Sequence, residues 1–256
     1  MKRLIGVMTI VLGFGVTGLA QAATGAGITG SSHDFTDNIK NRKAFTGTPG
    51  GTDVALEAWN ARNEICRVCH VPHDHSLNPE GTPRYRSGLL WNHKLSSATY
   101  TMYDSTWSPT INGTQDGQPT GTAKLCLGCH DGTVAIDTFD KYTTATVFFD
   151  GTATGYSTGY KVPGFTVGGN LDMRGTHPLS IAFPAADVNE FTDPNVATWA
   201  SGDTVASTLD NGKIQCSTCH DVHSQEQVAG THLLRAAQTV AQGGVASGLC
   251  LTCHVK

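Results

Sequence analysis

The 256-residue sequence predicts a loop-rich fold with short helices, few short strands and an interior that side chains alone do not fill. Charged residues make up only 15% of the chain and hydrophobic residues 39%, while glycine occurs 30 times. A typical soluble domain contains about a quarter charged residues. Because this apolar content is thin for the length, we expect another apolar group to supply the core.

The first 22 residues predict a cleaved secretory signal peptide. Lys2 and Arg3 precede an apolar run at residues 4–19, and Ala20-Gln21-Ala22 provides small residues for cleavage. A membrane anchor is the alternative, but the run is short and contains several glycines. Cleavage would leave 15 basic and 21 acidic residues, a formal charge of -6, with no second stretch apolar enough to span a membrane. We therefore expect an exported chain at residues 23–256, and its acidic balance argues against nucleic acid as a partner.

All eight cysteines belong to four C-x-x-C-H motifs. The cysteine pairs are Cys66 and Cys69, Cys126 and Cys129, Cys216 and Cys219, and Cys250 and Cys253, followed by His70, His130, His220 and His254. Two thiols at this spacing can form thioethers with one haem, and the adjacent histidine can bind its iron. A redox dithiol or half of a zinc site also uses C-x-x-C, but neither explains a histidine after all four pairs. The motifs predict four covalently bound haem c groups and a loop-rich multihaem cytochrome c fold with short helices around the motifs and a haem stack as its core.

The second axial ligand of each haem decides between electron transfer and chemistry at iron. Seven further histidines are available, whereas Met102 and Met173 are the only methionines after the leader. This count favours histidine on both sides of every iron. The spare histidines are His33, His73, His75, His93, His177, His223 and His232.

Two of the spare histidines lie close to a motif. His73 follows His70 by three residues, and His223 follows His220 by three. The porphyrin plane would separate each from the far side of its own haem, so we expect each to bind the iron of a neighbouring haem. Contact with a haem propionate is the alternative for both.

Nearly the whole chain after the leader resembles the multihaem cytochromes with paired C-x-x-C-H motifs from metal-reducing bacteria. It is most similar to the tetrahaem outer-surface cytochromes that polymerise into filaments. The resemblance implies that His33, His73, His177 and His223 are the distal ligands, with His93 in reserve and His75 and His232 solvated or bonded to propionates. Besides the four motifs, it is carried by His33-Asp34-Phe35, Val71-Pro72-His73, Leu90-Trp91-Asn92, Asp131-Gly132-Thr133, Thr176-His177-Pro178, Asp221-Val222-His223, Leu233-Leu234-Arg235 and the terminal residues 249–256.

The resemblance also implies electron transport in extracellular respiration rather than enzymatic catalysis. It implies an extracellular or outer-surface location, with copies of the same chain, other cytochromes and extracellular electron acceptors as partners. A monomeric periplasmic shuttle and a multihaem oxyanion reductase are the alternatives. His33 follows a glycine-rich stretch that is expected to be a mobile arm. Such an arm could close a haem in its own subunit or in the next one, and the resemblance favours the next one.

Regular structure is expected to be sparse. Helices are predicted at residues 55–70, 232–237 and 246–254, and residues 138–213 predict loops with a few short strands. Motif spacing divides the chain into residues 23–137 with haems 1 and 2 and residues 138–256 with haems 3 and 4. These two parts are not expected to be independent domains.

Overall fold

The computed structural model describes residues 27–31, 33–36, 44–45, 53–54, 60, 64–71, 90–134, 136, 138–140, 171–184 and 190–255. The expected leader at residues 1–22 lies outside these ranges, as do His73 and His75. In the part that is described, no helix is both long and apolar enough to cross a membrane.

Regular elements in the described residues are short. The helices are α1 (Gly121–His130), α2 (Cys216–Cys219) and α3 (Gly248–Cys253). Strand β1 (Ala44–Phe45) pairs antiparallel with β2 (Asp53–Val54), and β3 (Ile181–Ala182) pairs antiparallel with β4 (Lys213–Ile214). Single 3-10 turns occur at Met173–Gly175, Val205–Thr208 and Val240–Gln242. Each α-helix carries one C-x-x-C-H motif, so the helices serve the motifs rather than a conventional core.

Helix α1 begins at a glycine that its surroundings require. Gly121 has φ of +51°, and a Cβ at this position would overlap the carboxylate of Asp210. That carboxylate accepts the backbone N–H of Thr122 at 2.8 Å, so it satisfies one of the donors left open at the start of the helix. The N–H of Thr120 is bound by the Ser180 hydroxyl, also at 2.8 Å. The segments before β3 and after Thr208 thus fix the start of the second motif's helix.

The predicted helices have different outcomes. The one expected at residues 246–254 forms as α3. The one expected at residues 232–237 is wrong, because Leu233 has φ of +59° and Leu234 forms a β-bridge with His220. Of the one expected at residues 55–70, the structure describes Asn60 and residues 64–71. There the motif is a turn, in which the N–H groups of Cys69 and His70 both donate to the Cys66 carbonyl.

Two small apolar clusters lie in the described part of the chain. One contains Ala197, Trp199, Val205 and Ala236. The other contains Tyr100, Leu127 and Met173, so Met173 is packed against side chains. Both clusters are much smaller than the core of an ordinary domain of this length.

Candidate functional site

The histidines of the first, third and fourth motifs share one backbone arrangement. Each follows a helical turn of two cysteines and then enters an antiparallel β-bridge, pairing with Trp91, Leu234 and Phe191, respectively. In α2 and α3 the histidine has extended backbone angles, and its N–H still donates to the carbonyl of the first cysteine. The change from helical turn to bridge fixes the direction in which the histidine leaves the motif.

The segments that pair with the histidines of the first and third motifs have the same backbone arrangement, position by position. Leu90 and Leu233 both have positive φ, and their carbonyls accept the N–H of the residue after the motif histidine, at 2.9 and 2.8 Å. Two positions later, the side chains of Asn92 and Arg235 donate to the carbonyls of the residues that follow the first cysteine, at 2.5 and 3.2 Å. The two motifs are therefore held by one repeated device, which the sequence shows only as leucine at two comparable positions.

Three motif histidines each lie opposite a second histidine. Ring centroids are 6.0 Å apart for His33 and His130, 6.2 Å for His70 and His223, and 6.4 Å for His177 and His254. An imidazole nitrogen binds a metal ion at about 2 Å and the ring centroid lies about 1 Å beyond it, so two imidazoles on opposite sides of one iron have centroids about 6 Å apart. The spacing of these pairs therefore fits a hexacoordinate haem iron between them.

The ring planes of the pairs meet at 55°, 21° and 66°. Such a spread is compatible with axial ligation, because a ring can rotate about its bond to a metal without lengthening that bond.

Two candidate ligands have a defined tautomer. Nδ1 of His220 donates to the carbonyl of His232 at 2.8 Å, and Nδ1 of His177 donates to the carbonyl of Pro178 at 2.9 Å. A carbonyl can only accept, so the proton lies on Nδ1 and the lone pair on Nε2. This is the arrangement found where a histidine binds a metal through Nε2 and is oriented through its other nitrogen.

The histidines outside the three pairs differ in whether the structure describes them, in their burial and in their contacts. His220 has no ring pair of this kind with any other described residue, and His73, which the sequence predicts to be a distal ligand, lies outside the described ranges together with His75. His232 is exposed and contributes its carbonyl to His220. His93 is buried, donates from Nδ1 to the carbonyl of Lys94, and lies beside α1 at Gly128.

Two described residues of the segment that carries His33 form hydrogen bonds with distant parts of the chain. The N–H of Gly27 donates to the Ser224 carbonyl at 3.2 Å, and the Asn60 amide donates to the Phe35 carbonyl at 2.6 Å. Phe35 itself is buried. His33 lies opposite His130 of its own chain, and donation of His33 to a neighbouring subunit stays a prediction.

Successive motifs touch in the order in which they occur along the chain. The Cys69 thiol lies near that of Cys126, and the Cys126 thiol lies near that of Cys216. The Cys219 thiol lies near those of Cys250 and Cys253. Contacts between α1 and α2, including the 2.7 Å hydrogen bond between the Thr122 and Ser217 hydroxyls, join the two halves of the chain that motif spacing had divided.

Five motif thiols have a raised pKa, namely Cys69, Cys129, Cys216, Cys219 and Cys253, whereas the neighbouring Cys216 lowers the pKa of Cys126. Burial raises the pKa of Cys69 and of Cys253 to about 12, with neighbouring thiols adding to the effect. Burial, together with the nearby Cys250, raises the pKa of Cys219 to about 11. Nucleophilic and metal-binding cysteines have lowered pKa values in electropositive surroundings, whereas a thioether needs no thiolate in the finished protein.

Three buried aspartates contribute to the sites and were not singled out from the sequence. Asp34, Asp131 and Asp221 each follow a candidate ligand directly, as His33-Asp34, His130-Asp131 and His220-Asp221, and each is at most 5% exposed. The recurring His-Asp pair was the available signal.

Comparison of the chain with protein-family models and with curated proteins gives no match.

Proposed function

We propose that the protein is a tetrahaem c-type cytochrome that carries electrons along a row of bis-histidine haems. The observation that carries this proposal is the set of three histidine pairs with ring centroids 6.0 to 6.4 Å apart. In every pair, one member belongs to a C-x-x-C-H motif and the other lies far from it in sequence. Haem, when bound, supplies reversible one-electron chemistry at iron.

The chain's own residues have three tasks under this proposal. The four cysteine pairs anchor the cofactors, and the four motif histidines provide the proximal ligands. His130 is paired with His33, His70 with His223, and His254 with His177. Of the four distal ligands that the resemblance implies, His73 remains for His220. Histidine on both sides leaves no open coordination position, which favours a carrier over an oxyanion reductase or another enzyme.

The contacts between consecutive motifs support a continuous row. Thiols of the first and second, second and third, and third and fourth motifs are neighbours. Cofactors anchored to adjoining thiols would lie close enough to exchange electrons directly. The row would end at the first and fourth motifs, whose Cys66 and Cys250 are the two exposed cysteines.

Export and assembly are parts of the same proposal. The leader would direct residues 23–256 to the outer surface, where copies of the chain form a filament that meets other cytochromes or extracellular acceptors. Exposure of Leu251 and Val255 around the fourth motif supports contact with a second copy there. A monomeric periplasmic shuttle is the alternative, with the same haems and no assembly.

Two measurements on secreted protein test the cofactor and its ligation. Mass spectrometry of the denatured chain should give a polypeptide starting at Ala23 with four covalent haems. Ferric EPR should give low-spin signals for all four. Replacing both Cys216 and Cys219 by serine should remove one covalent haem. Colourless protein, or a resting high-spin signal with turnover of a small oxyanion, would contradict the proposal.

Electron microscopy of secreted material tests assembly separately. Filaments built from this polypeptide would support the proposed wire. Monodisperse small particles carrying four low-spin haems would support the shuttle instead.

A further inference from the structure

Three candidate ligands, His33, His130 and His220, are each followed directly by an aspartate with one recurring set of bonds. In every case Oδ1 accepts the backbone N–H of the residue two positions later, at 3.1 Å for Asp34, 2.8 Å for Asp131 and 3.1 Å for Asp221. In every case Oδ2 accepts at least one further donor, which is local for Asp34 and Asp221 and distant in sequence for Asp131. The sites are otherwise unlike: one lies in the N-terminal segment, one after helix α1 and one between two candidate ligands.

The groups that donate to Oδ2 differ between Asp34 and Asp131. Asp34 Oδ2 accepts the N–H of Gly30 at 2.7 Å, which closes a turn around His33. Asp131 Oδ2 accepts the hydroxyl of Tyr100, which is buried in a cluster with Leu127 and Met173. The position of Asp131, directly after His130, is thus linked to the packing of this cluster.

Asp221 has the largest set of bonds and lies between two ligands. Its Oδ1 accepts the N–H of His223, and its Oδ2 accepts the N–H groups of Gln225 and Glu226 at 2.5 and 2.6 Å. His220 before it belongs to the third motif, while His223 after it is paired with His70 of the first. One buried carboxylate therefore fixes the turn that connects two different sites.

We propose that Asp34, Asp131 and Asp221 are positioning residues that hold the backbone after a ligand histidine and thereby keep its ring on the axial direction. A carboxylate at 2% to 5% exposure has lost most of its hydration, and backbone N–H groups must replace it. Because hydrogen bonds to a charged acceptor are stronger than neutral ones, such a turn resists rotation better than one closed by an amide. The inference rests on the proposed haem ligation.

The test uses full-length secreted holoprotein and ferric EPR. His33→Ala sets the reference, because loss of this ligand should turn one of the four haems high-spin. Asp34→Ala removes every bond of its carboxylate and should also give a high-spin signal, rising toward the His33→Ala level on warming. Asp34→Asn keeps one acceptor oxygen for Thr36 and should give an intermediate signal.

Asp221→Ala and Asp131→Ala extend the test to the other two sites. Asp221→Ala should release His223 and give a high-spin signal from the first-motif haem. In Asp131→Ala we expect shifted low-spin g-values for a single haem, because helix α1 still holds His130 and only the ring orientation changes. Asp193→Ala is the matched control, since Asp193 accepts the N–H of Asn195 two positions later at 2.9 Å but follows Thr192 rather than a histidine.

The outcomes separate this inference from the proposed function. If His33→Ala leaves four low-spin haems, the assigned ligation is wrong. If His33→Ala gives the high-spin signal while Asp34→Ala and Asp221→Ala match wild type and Asp193→Ala, the ligation stands and the positioning role is refuted. Because Asp34 lies in the N-terminal segment, its variant reports on the proposal even if Asp221→Ala does not accumulate.

Discussion

Replacing Gly128 by alanine should destabilise the protein although alanine is the better helix former. Gly128 lies inside α1 between the cysteines of the second motif. A Cβ there would be 2.7 Å from the backbone carbonyl oxygen of Lys94 and 3.5 Å from Nδ1 of His93. The nearest atom is backbone, so relief requires the segment around Lys94 to move away from the helix.

That segment is not free to move. The N–H of Lys94 donates to the Thr138 carbonyl at 3.0 Å, and His93 forms a β-bridge with Phe139. Inserting a methyl group into a tight site costs about 1–3 kcal/mol. Higher helix propensity offsets about 1 kcal/mol of this. We therefore expect the free energy of unfolding to fall by up to about 2 kcal/mol.

Guanidinium unfolding of the holoprotein, followed by the Soret band, measures the change. Gly117→Ala is the matched control, because a Cβ at Gly117 would meet no atom within 4 Å. Its free energy of unfolding should remain within about 0.5 kcal/mol of wild type. A Gly128→Ala protein as stable as Gly117→Ala would refute the close approach of α1 to Lys94.

Three further outcomes are expected. His177→Ala should turn one haem of four high-spin by EPR, whereas His232→Ala, at an exposed position, should leave all four low-spin. Burial, reinforced by Asp131, raises the pKa of Tyr100 above its usual 10.0. The protonated phenol therefore stabilises the fold below about pH 10, and this contribution is lost as the pH rises further. In Tyr100→Phe, the free energy of unfolding should accordingly depend less on pH in the alkaline range than in wild type. The Lys213 hydrogen bond lowers the pKa of Asp116 below 3.8. The Lys213→Gln variant should therefore be less stable than wild type near neutral pH, by less than about 1 kcal/mol. This difference in the free energy of unfolding should vanish in acid, where Asp116 is protonated in both proteins.

The sequence was most informative where covalent chemistry demands a fixed spacing. A C-x-x-C-H motif must be a local turn, so all four anchoring sites could be assigned without knowing the fold. The helix at the fourth motif could be predicted as well. The failed helix at residues 232–237 has a definite cause: the Leu234 backbone pairs with the third motif's histidine, and a long-range bridge overrides local propensity.

Spatial order was out of reach from the sequence. Cys126 and Cys216 lie near each other although they are 90 positions apart in the sequence, and no local pattern encodes this proximity. The motif opposite each distal histidine could not be predicted from the sequence either, since several spare histidines are available for every site. The role of the buried aspartates was equally hidden, because Asp after His is common and only burial with convergent N–H donors distinguishes these three.

Under the proposed function, the pairing of histidines sets an order in which the haem sites could be completed as the chain is exported from its N terminus. His33 precedes His130 and His177 precedes His254, so the second and fourth sites have both imidazoles available as soon as their motifs emerge. The first site is different, because His70 must wait for His223, some 150 residues later in the chain. A premature stop before residue 223 would therefore yield a secreted fragment whose first site lacks a sixth ligand while its second site is complete.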